Sequence, residues 1–173
     1  MKTLRFLFPV LGLLTGSVVG AAPAKPAEAP RAQVTFTHPE KFTDVKEDQF
    51  GSEKGRNGIL DQIRDYIVQQ AKNYIPEGQM LAVDFTDIDL AGDFEPWRGP
   101  QFSDVRIVKD VYPPSMKFHF KVTDASGRVI KEGDRQLRDL AFQMNINIHR
   151  DDPLRYDKQL LEDWMRDEFP RRK

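Results

Sequence analysis

Five carboxylates fall within twelve residues in the middle of the chain, and these side chains have the clearest capacity for chemistry. They are Asp84, Asp87, Asp89, Asp93 and Glu95. Calcium takes about six to eight oxygen ligands, and one loop commonly supplies several of them. Asp87, Asp89, Asp93 and Glu95 are therefore candidate metal ligands, and calcium is the one cofactor that this segment leaves open.

The spacing of these acids differs from that of an EF-hand loop. If Asp87 is counted as the first position, Ala91 falls at the fifth and Arg98 at the twelfth, where oxygen ligands are needed. The alternative hypothesis is that the acids accept hydrogen bonds from turn amides and pair with arginines, so that no cofactor is bound. The arginines considered for such pairs are Arg98, Arg106, Arg135 and Arg138.

The same acidic segment, residues 84–95, suggests an enzymatic alternative. Two carboxylates on opposite sides of a sugar act as acid and base in glycoside hydrolysis, and the acid needs a raised pKa. Phe94 and Trp97 are close in sequence and have flat faces on which a sugar could stack. A metal-assisted or carboxylate-dependent hydrolase is therefore one hypothesis. The three histidines of the chain are too scattered in sequence to indicate a zinc site.

A binding role is suggested by the loop that follows the acidic strand. Trp97 lies between Pro96 and Arg98, and tryptophan and arginine are enriched among the residues that dominate protein interfaces. On this hypothesis Trp97 is an exposed anchor; the alternative is a buried plug that closes one end of the core. The candidate binding residues are Phe94, Trp97, Arg98 and Arg106.

The acidic segment begins on a predicted strand. Leu81, Val83 and Phe85 alternate with polar or small residues, which is typical of a strand with one buried face. The next apolar pair, at positions 88 and 90, falls on the opposite parity. A β-bulge at residues 86–87 is therefore predicted, because one extra residue returns the second pair to the core side.

The remaining segments place this strand in an α+β domain. Further strands are predicted at residues 33–37, 105–108 and 116–123 and after the turn at 124–127, and residues 139–149 are predicted to be extended. One helix is predicted from Gly58 to Tyr74 with Asn57 as its N-cap, and another from Asp152 and Pro153. The predicted fold is a mostly antiparallel sheet of about five strands with two helices on one face, in the order β-α-β-β-β-β-α.

The first 22 residues have the pattern of a secretory signal peptide. Lys2 and Arg5 precede an apolar run that ends in small residues at positions 20–22. That run is shorter than the roughly 20 residues of a membrane span, so no span is expected after cleavage. Residues 23–32 are interpreted as an Ala/Pro-rich linker and residues 33–173 as a single domain. A periplasmic or secreted location follows from this interpretation.

The composition excludes several classes of protein. The chain has no cysteine, which excludes a disulfide framework, a thiol nucleophile and a thiolate metal site. Removal of the signal peptide leaves 24 basic and 27 acidic residues, a net charge of −3. A chain this close to neutral gives no electrostatic reason to expect nucleic acid as a partner.

Several runs of sequence resemble a known family. They are FTDVK at Phe42, FTDIDLAGDFEPWR at Phe85, DVRIVKD at Asp104, LRDLAF at Leu137 and DPLRYDKQLLEDW at Asp152. Together they resemble the proteobacterial family catalogued as domain of unknown function 3016. The resemblance implies a small exported protein of the cell envelope, with no activity, ligand or catalytic residue to carry over. The favoured hypothesis is a non-enzymatic binding domain whose partner is an envelope protein or a small ligand.

Overall fold

The computed structural model describes residues 30–144 and 151–169, and the described chain folds around a four-stranded sheet. In chain order the helices and strands are β1 (Ala32–Phe36), α1 (Glu53–Tyr74), β2 (Met80–Asp89), β3 (Asp93–Phe94), β4 (Arg106–Ile107), β5 (Ser115–Thr123), β6 (Val129–Arg138) and α2 (Arg155–Glu168). The main sheet has the order β1-β2-β5-β6, and β3 pairs with β4 in a small second sheet. The predicted α+β class is confirmed. The main sheet is mixed, because β1 runs parallel to β2 while the other pairs are antiparallel.

The bulge predicted in β2 is present. The pairing of β2 with β5 shifts register between Phe85 and Asp87, so the strand gains one residue at this point. Leu81 and Phe85 before the shift and Ile88 after it are all fully buried. The shift also determines where the acids point, since it turns every later side chain of β2 to the opposite face.

The hairpin of β5 and β6 provides the other half of the buried sheet face. Phe118 and Phe120 of β5 are buried, whereas His119 between them is exposed. Both rings contact Trp164 of α2, at centroid distances of 4.6 and 5.6 Å. The predicted core position of Trp164 is therefore confirmed, and α2 covers the same sheet face as the buried side of α1.

Helix α1 begins five residues earlier than the sequence predicts. Ser52 is the N-cap, and its hydroxyl accepts a hydrogen bond from the Gly55 amide at 3.0 Å. Asn57 therefore lies inside the helix, and the prediction that it is the cap was wrong. The first two turns contain Gly55 and Gly58, which lower helix propensity and made this part of the helix resemble a loop.

The segment before α2 also differs from its prediction. The Asp152 carboxylate accepts a hydrogen bond from the Leu154 amide at 2.8 Å, and the helix begins only at Arg155. Asp152 and Pro153 thus form a turn that leads into the helix. Residues 139–144, predicted to be extended, form a turn and a short 3-10 helix at Phe142–Met144. The rest of that predicted strand, 145–149, lies outside the described residues.

Candidate functional site

The loop of residues 92–102 leaves β2 through a sharp turn at Gly92. Gly92 has a φ of 82°, which favours glycine, and a Cβ atom there would lie 2.8 Å from the Ile107 carbonyl oxygen. Its amide donates a hydrogen bond to the Tyr112 carbonyl at 3.0 Å. The turn therefore holds the start of the loop against the β4 segment and directs the residues that follow away from the core.

The buried carboxylate of Glu95 fixes the loop from its core side. Glu95 is only 1% exposed and accepts hydrogen bonds from the Lys109 ammonium at 2.5 Å, the Arg98 guanidinium, and the Tyr112 hydroxyl at 3.1 Å. The bonds from Lys109 and Arg98 lower the pKa of Glu95 to about 2. Glu95 therefore stays ionised and serves as an anchor for the loop, and the prediction that it pairs with Arg98 is confirmed.

Trp97 lies on the outer side of this braced loop. It is 72% exposed, on the short 3-10 helix Pro96–Arg98. Phe94, three residues earlier, is buried. The plug hypothesis is therefore wrong, and the side chain is accessible to a partner.

Arg106 ties three segments together at the base of the loop. Its guanidinium donates hydrogen bonds to the Asp44 carboxylate at 2.6 Å, the Gly92 carbonyl at 2.8 Å and the Lys46 carbonyl at 3.0 Å. It also lies over the Phe94 ring, 4.7 Å from the centroid. Arg106 and Phe94, both predicted to bind a partner, are thus engaged in holding the loop in place. Asp44 was missed because nothing in its local sequence indicates a partner 62 residues away.

The other acids of the segment are dispersed among different partners. Asp84 accepts hydrogen bonds from the hydroxyls of Thr35 and Thr37, both at 2.9 Å. Asp87 accepts from the Thr43 amide at 2.9 Å and from Lys117 at 3.1 Å. Both carboxylates are thus held by hydrogen bonds within the protein, but only Asp87 bonds to an amide, and neither pairs with one of the predicted arginines. Arg135, a predicted partner of the acids, pairs with Glu168.

Asp93 and Asp89 complete the set of predicted metal ligands. The Asp93 carboxylate accepts a hydrogen bond from the Phe94 amide at 2.7 Å. Burial, together with the nearby negative charges of Asp44, Asp87 and Asp93, raises the pKa of Asp89 to about 6. Within residues 30–144 and 151–169, no group of three or more acidic, histidine or cysteine side chains is placed so as to hold a metal ion. The predicted calcium site of Asp87, Asp89, Asp93 and Glu95 therefore has no supporting geometry.

The arrangement of these acids also gives little support to the carboxylate-dependent hydrolase hypothesis. That mechanism needs one carboxylic acid and one carboxylate on opposite sides of a substrate. Glu95 is sealed from solvent and ionised, and hydrogen bonds from Thr43 and Lys117 lower the pKa of Asp87 despite its partial burial. Asp89 alone of the predicted residues has a raised pKa suited to an acid.

The loop lies within the part of the chain that matches a known family. A family model described as a protein of unknown function, DUF3016, matches residues 30–167. The chain belongs to this family. The match spans the loop, its bracing residues and nearly all of α2, and it confirms the resemblance found in the sequence. Searches of curated proteins and of solved structures found no match to the chain.

The DUF3016 domain also contains a buried carboxylate that the sequence did not reveal. Asp157 of α2 is 1% exposed and accepts a hydrogen bond from the Ala91 amide at 3.0 Å, at the end of β2. Burial raises the pKa of Asp157 to about 7, opposed by the Ala91 hydrogen bond and the positive charge of Arg106. Asp157 thus links α2 to the start of the loop. In the described parts of the chain, neither helix has the length and apolar character needed to cross a bilayer.

Replacing Asp157 with asparagine should reduce the pH dependence of stability. As the pH rises from about 4 to about 7, the unfolded chain gives up this proton, whereas the folded chain keeps it. The contribution of Asp157 to the free energy of unfolding is therefore full below about pH 4 and is lost as the pH rises to about 7. Between about pH 5 and pH 8 the wild type should lose about 3 kcal/mol more than Asp157→Asn. Urea unfolding at both pH values measures this difference.

The matched control is Asp65→Asn, at an exposed position of α1. It should keep the wild-type pH dependence, because Asp65 is open to water in both states. If Asp157→Asn and the wild type lost the same stability over this range, Asp157 would be ionised in the folded protein, and its assigned role would be wrong.

Proposed function

We propose that this protein is an exported, non-enzymatic binding domain of the cell envelope, and that it recognises a partner protein through the loop of residues 92–102. The observation that carries the proposal is the exposure of Trp97 on a loop whose base is fixed by ion pairs to two buried carboxylates, Glu95 and Asp44. When a partner covers a large exposed aromatic side chain, apolar surface is removed from water, and this stabilises the complex. A fixed, exposed tryptophan is therefore a natural anchor for an interface.

The bracing of the loop supports this function because it reduces the entropy lost on binding. An interface residue that is already held in its bound position costs less to immobilise than one on a mobile loop. Glu95 holds the loop from within through Arg98 and Lys109, and the Gln49 amide holds its far end by a hydrogen bond of 3.2 Å to the Ser103 carbonyl. Trp97 is thus presented by a preorganised support.

A second exposed aromatic residue extends the proposed surface. Phe50 is 82% exposed and lines a groove of about 400 Å³ together with Phe94 and Pro96. Pro96 is the immediate neighbour of Trp97, so the groove adjoins the loop. A partner that covers Trp97 and inserts an apolar side chain beside Phe50 would bury both aromatic rings, and central aromatic contacts carry most of the binding energy in protein interfaces.

Export is proposed from the signal-like pattern of residues 1–22, with its basic start, apolar run and small-residue end. Small residues favour cleavage after Ala21 or after Ala24, so the mature protein should begin at Ala22 or Lys25. Amino-terminal sequencing of the protein from the envelope fraction tests this directly. An intact amino terminus on protein found only in the cytoplasm would refute export and leave the binding surface to be judged on its own.

Replacing Trp97 with alanine should remove binding without unfolding the domain. An exposed side chain contributes little to the core, so the free energy of unfolding should change by less than about 0.5 kcal/mol. Loss of a tryptophan anchor costs about 2 kcal/mol or more of binding, which lowers recovery of the partner at least tenfold. Affinity purification from cells that produce tagged wild type or variant, after chemical crosslinking, measures that recovery.

Ile130→Ala is the matched control, since Ile130 is 49% exposed on β6 at the opposite end of the sheet. It should recover the partner at the wild-type level. Equal recovery with wild type and Trp97→Ala would refute the proposed anchor. A loss of several kcal/mol of stability in Trp97→Ala would instead identify the residue as part of the core.

A further inference from the structure

A cavity of about 500 Å³ lies beside the braced loop and is separate from Trp97. Its walls come from α1, from the segment around β4 and from the turn that leads into α2. The apolar side chains that line it are Ile59, Leu90, Phe94, Val105, Val108 and Leu154. Cavities of about 300–1,000 Å³ with mostly apolar walls and a few polar groups are typical of small-ligand sites.

The charged side chains that line the cavity are three basic ones, Lys46, Arg106 and Arg155, and two acidic ones, Glu47 and Asp104, an excess of one positive charge. Lys46 lines the cavity, and among the described residues its ammonium group has no hydrogen-bond or ion-pair partner. Arg106 and Glu47, which also line the cavity, have partners of their own. Arg106 is paired with Asp44, and the Glu47 carboxylate accepts hydrogen bonds from the amide and the hydroxyl of Ser52 at the start of α1. Lys46 is therefore free to receive an anionic group from a ligand.

Part of the apolar wall of the cavity is exposed to solvent. Val105 is 44% exposed although it lines the cavity, and Ile59 beside it is only partly buried. A ligand with an apolar body would cover both side chains and gain from removing their surface from water. At about 30 Å³ for each small group, the volume accommodates roughly 15 non-hydrogen atoms.

We propose that this cavity binds a small amphipathic carboxylate, with its apolar chain against Val105 and Leu154 and its carboxylate at Lys46. A straight-chain acid of about ten carbons matches both the volume and the single charge. The cavity does not include Trp97 or Phe50, although Lys46 and Phe94 line both the cavity and the groove beside Phe50. The inference stands independently of the proposed partner-binding function.

Isothermal titration of the purified mature protein with decanoate, below its micelle-forming concentration, tests the proposal. Saturable binding of one molecule for each chain is expected, with the neutral alcohol decanol weaker and the cation decyltrimethylammonium weakest. Lys46→Met should weaken decanoate binding roughly fivefold and leave decanol unchanged, because an exposed lysine contributes a modest, charge-specific attraction. Lys54→Met, at an exposed position of α1 away from the cavity lining, is the control and should bind as wild type.

A second variant tests the position of the apolar chain. Val105→Trp adds bulk at a partly exposed wall position, so the domain should still fold while the cavity is filled, and binding of decanoate should be lost. Trp97→Ala should bind decanoate normally, which separates this site from the partner surface. The proposal is overturned if decanoate shows no saturable binding, if all three head groups bind alike, or if Val105→Trp binds as well as wild type.

Discussion

Arg106→Met should lower the free energy of unfolding by about 3–5 kcal/mol, because it leaves Asp44 buried without its countercharge. The Asp44 carboxylate is 9% exposed, and one of its oxygens already has no hydrogen-bond partner. The substitution also leaves the Gly92 and Lys46 carbonyls without the donor that now joins them. Methionine keeps an unbranched apolar side chain but removes the guanidinium from the Phe94 ring, so the loss reports the charge, the hydrogen bonds and this cation–π contact. Urea unfolding near neutral pH measures it.

Two further variants isolate the cause. Arg64→Met removes a half-exposed arginine of α1 that pairs with the exposed Asp61 and lies over the Phe36 ring, and it should cost no more than about 1 kcal/mol. Adding Asp44→Asn to Arg106→Met should restore part of the lost stability, since the double variant no longer buries an unpaired charge. A cost below about 1 kcal/mol for Arg106→Met itself would mean that Arg106 does not hold the base of the loop.

Phe120→Ala should cost about 3–5 kcal/mol through the cavity it leaves in the core. Phe120 is completely buried on β5 and contacts Trp164 and Phe169, at centroid distances of 5.6 and 5.8 Å. Those two residues belong to α2 and its C-terminal end, so truncation of Phe120 removes part of the packing between the helix and the sheet. Asp157 of α2 also bonds to the residue before the loop. The melting temperature of the whole domain should therefore fall together with the free energy of unfolding.

Phe50→Ala provides the matched control for this substitution. It removes the same side chain from an 82% exposed position, so the free energy of unfolding should change by no more than about 0.5 kcal/mol. If Phe120→Ala were as mild as Phe50→Ala, the face of β5 assigned to the core would be the wrong one.

The strands could be predicted because their signal is local. The alternation of Phe118 and Phe120 with polar neighbours, and the parity change after Phe85, state directly which side chains face the core. The start of α1 could not be predicted in the same way. Ser52 as a cap is compatible with a helix or a turn, and Gly55 and Gly58 weaken the helical pattern that follows.

The candidate site was only partly accessible from sequence, for the same reason. Glu95 and Arg98 are three residues apart, so their pairing could be expected from their spacing. Asp44 and Asp157 reach the base of the loop from segments 62 and 66 residues away from their partners, which no local pattern encodes. The exposure of Trp97 was also undecided, because tryptophan is usually largely buried but is also enriched, with arginine, at protein interfaces.

The central claim is that Trp97 is the point of contact with a partner protein. The most direct measurement places a photo-crosslinking amino acid at position 97 or position 130 and irradiates intact cells that produce each protein. Position 97 should yield one dominant crosslinked protein, and position 130, at the other end of the sheet, should not yield it. Crosslinks that are absent at position 97, or the same at both positions, would contradict the claim.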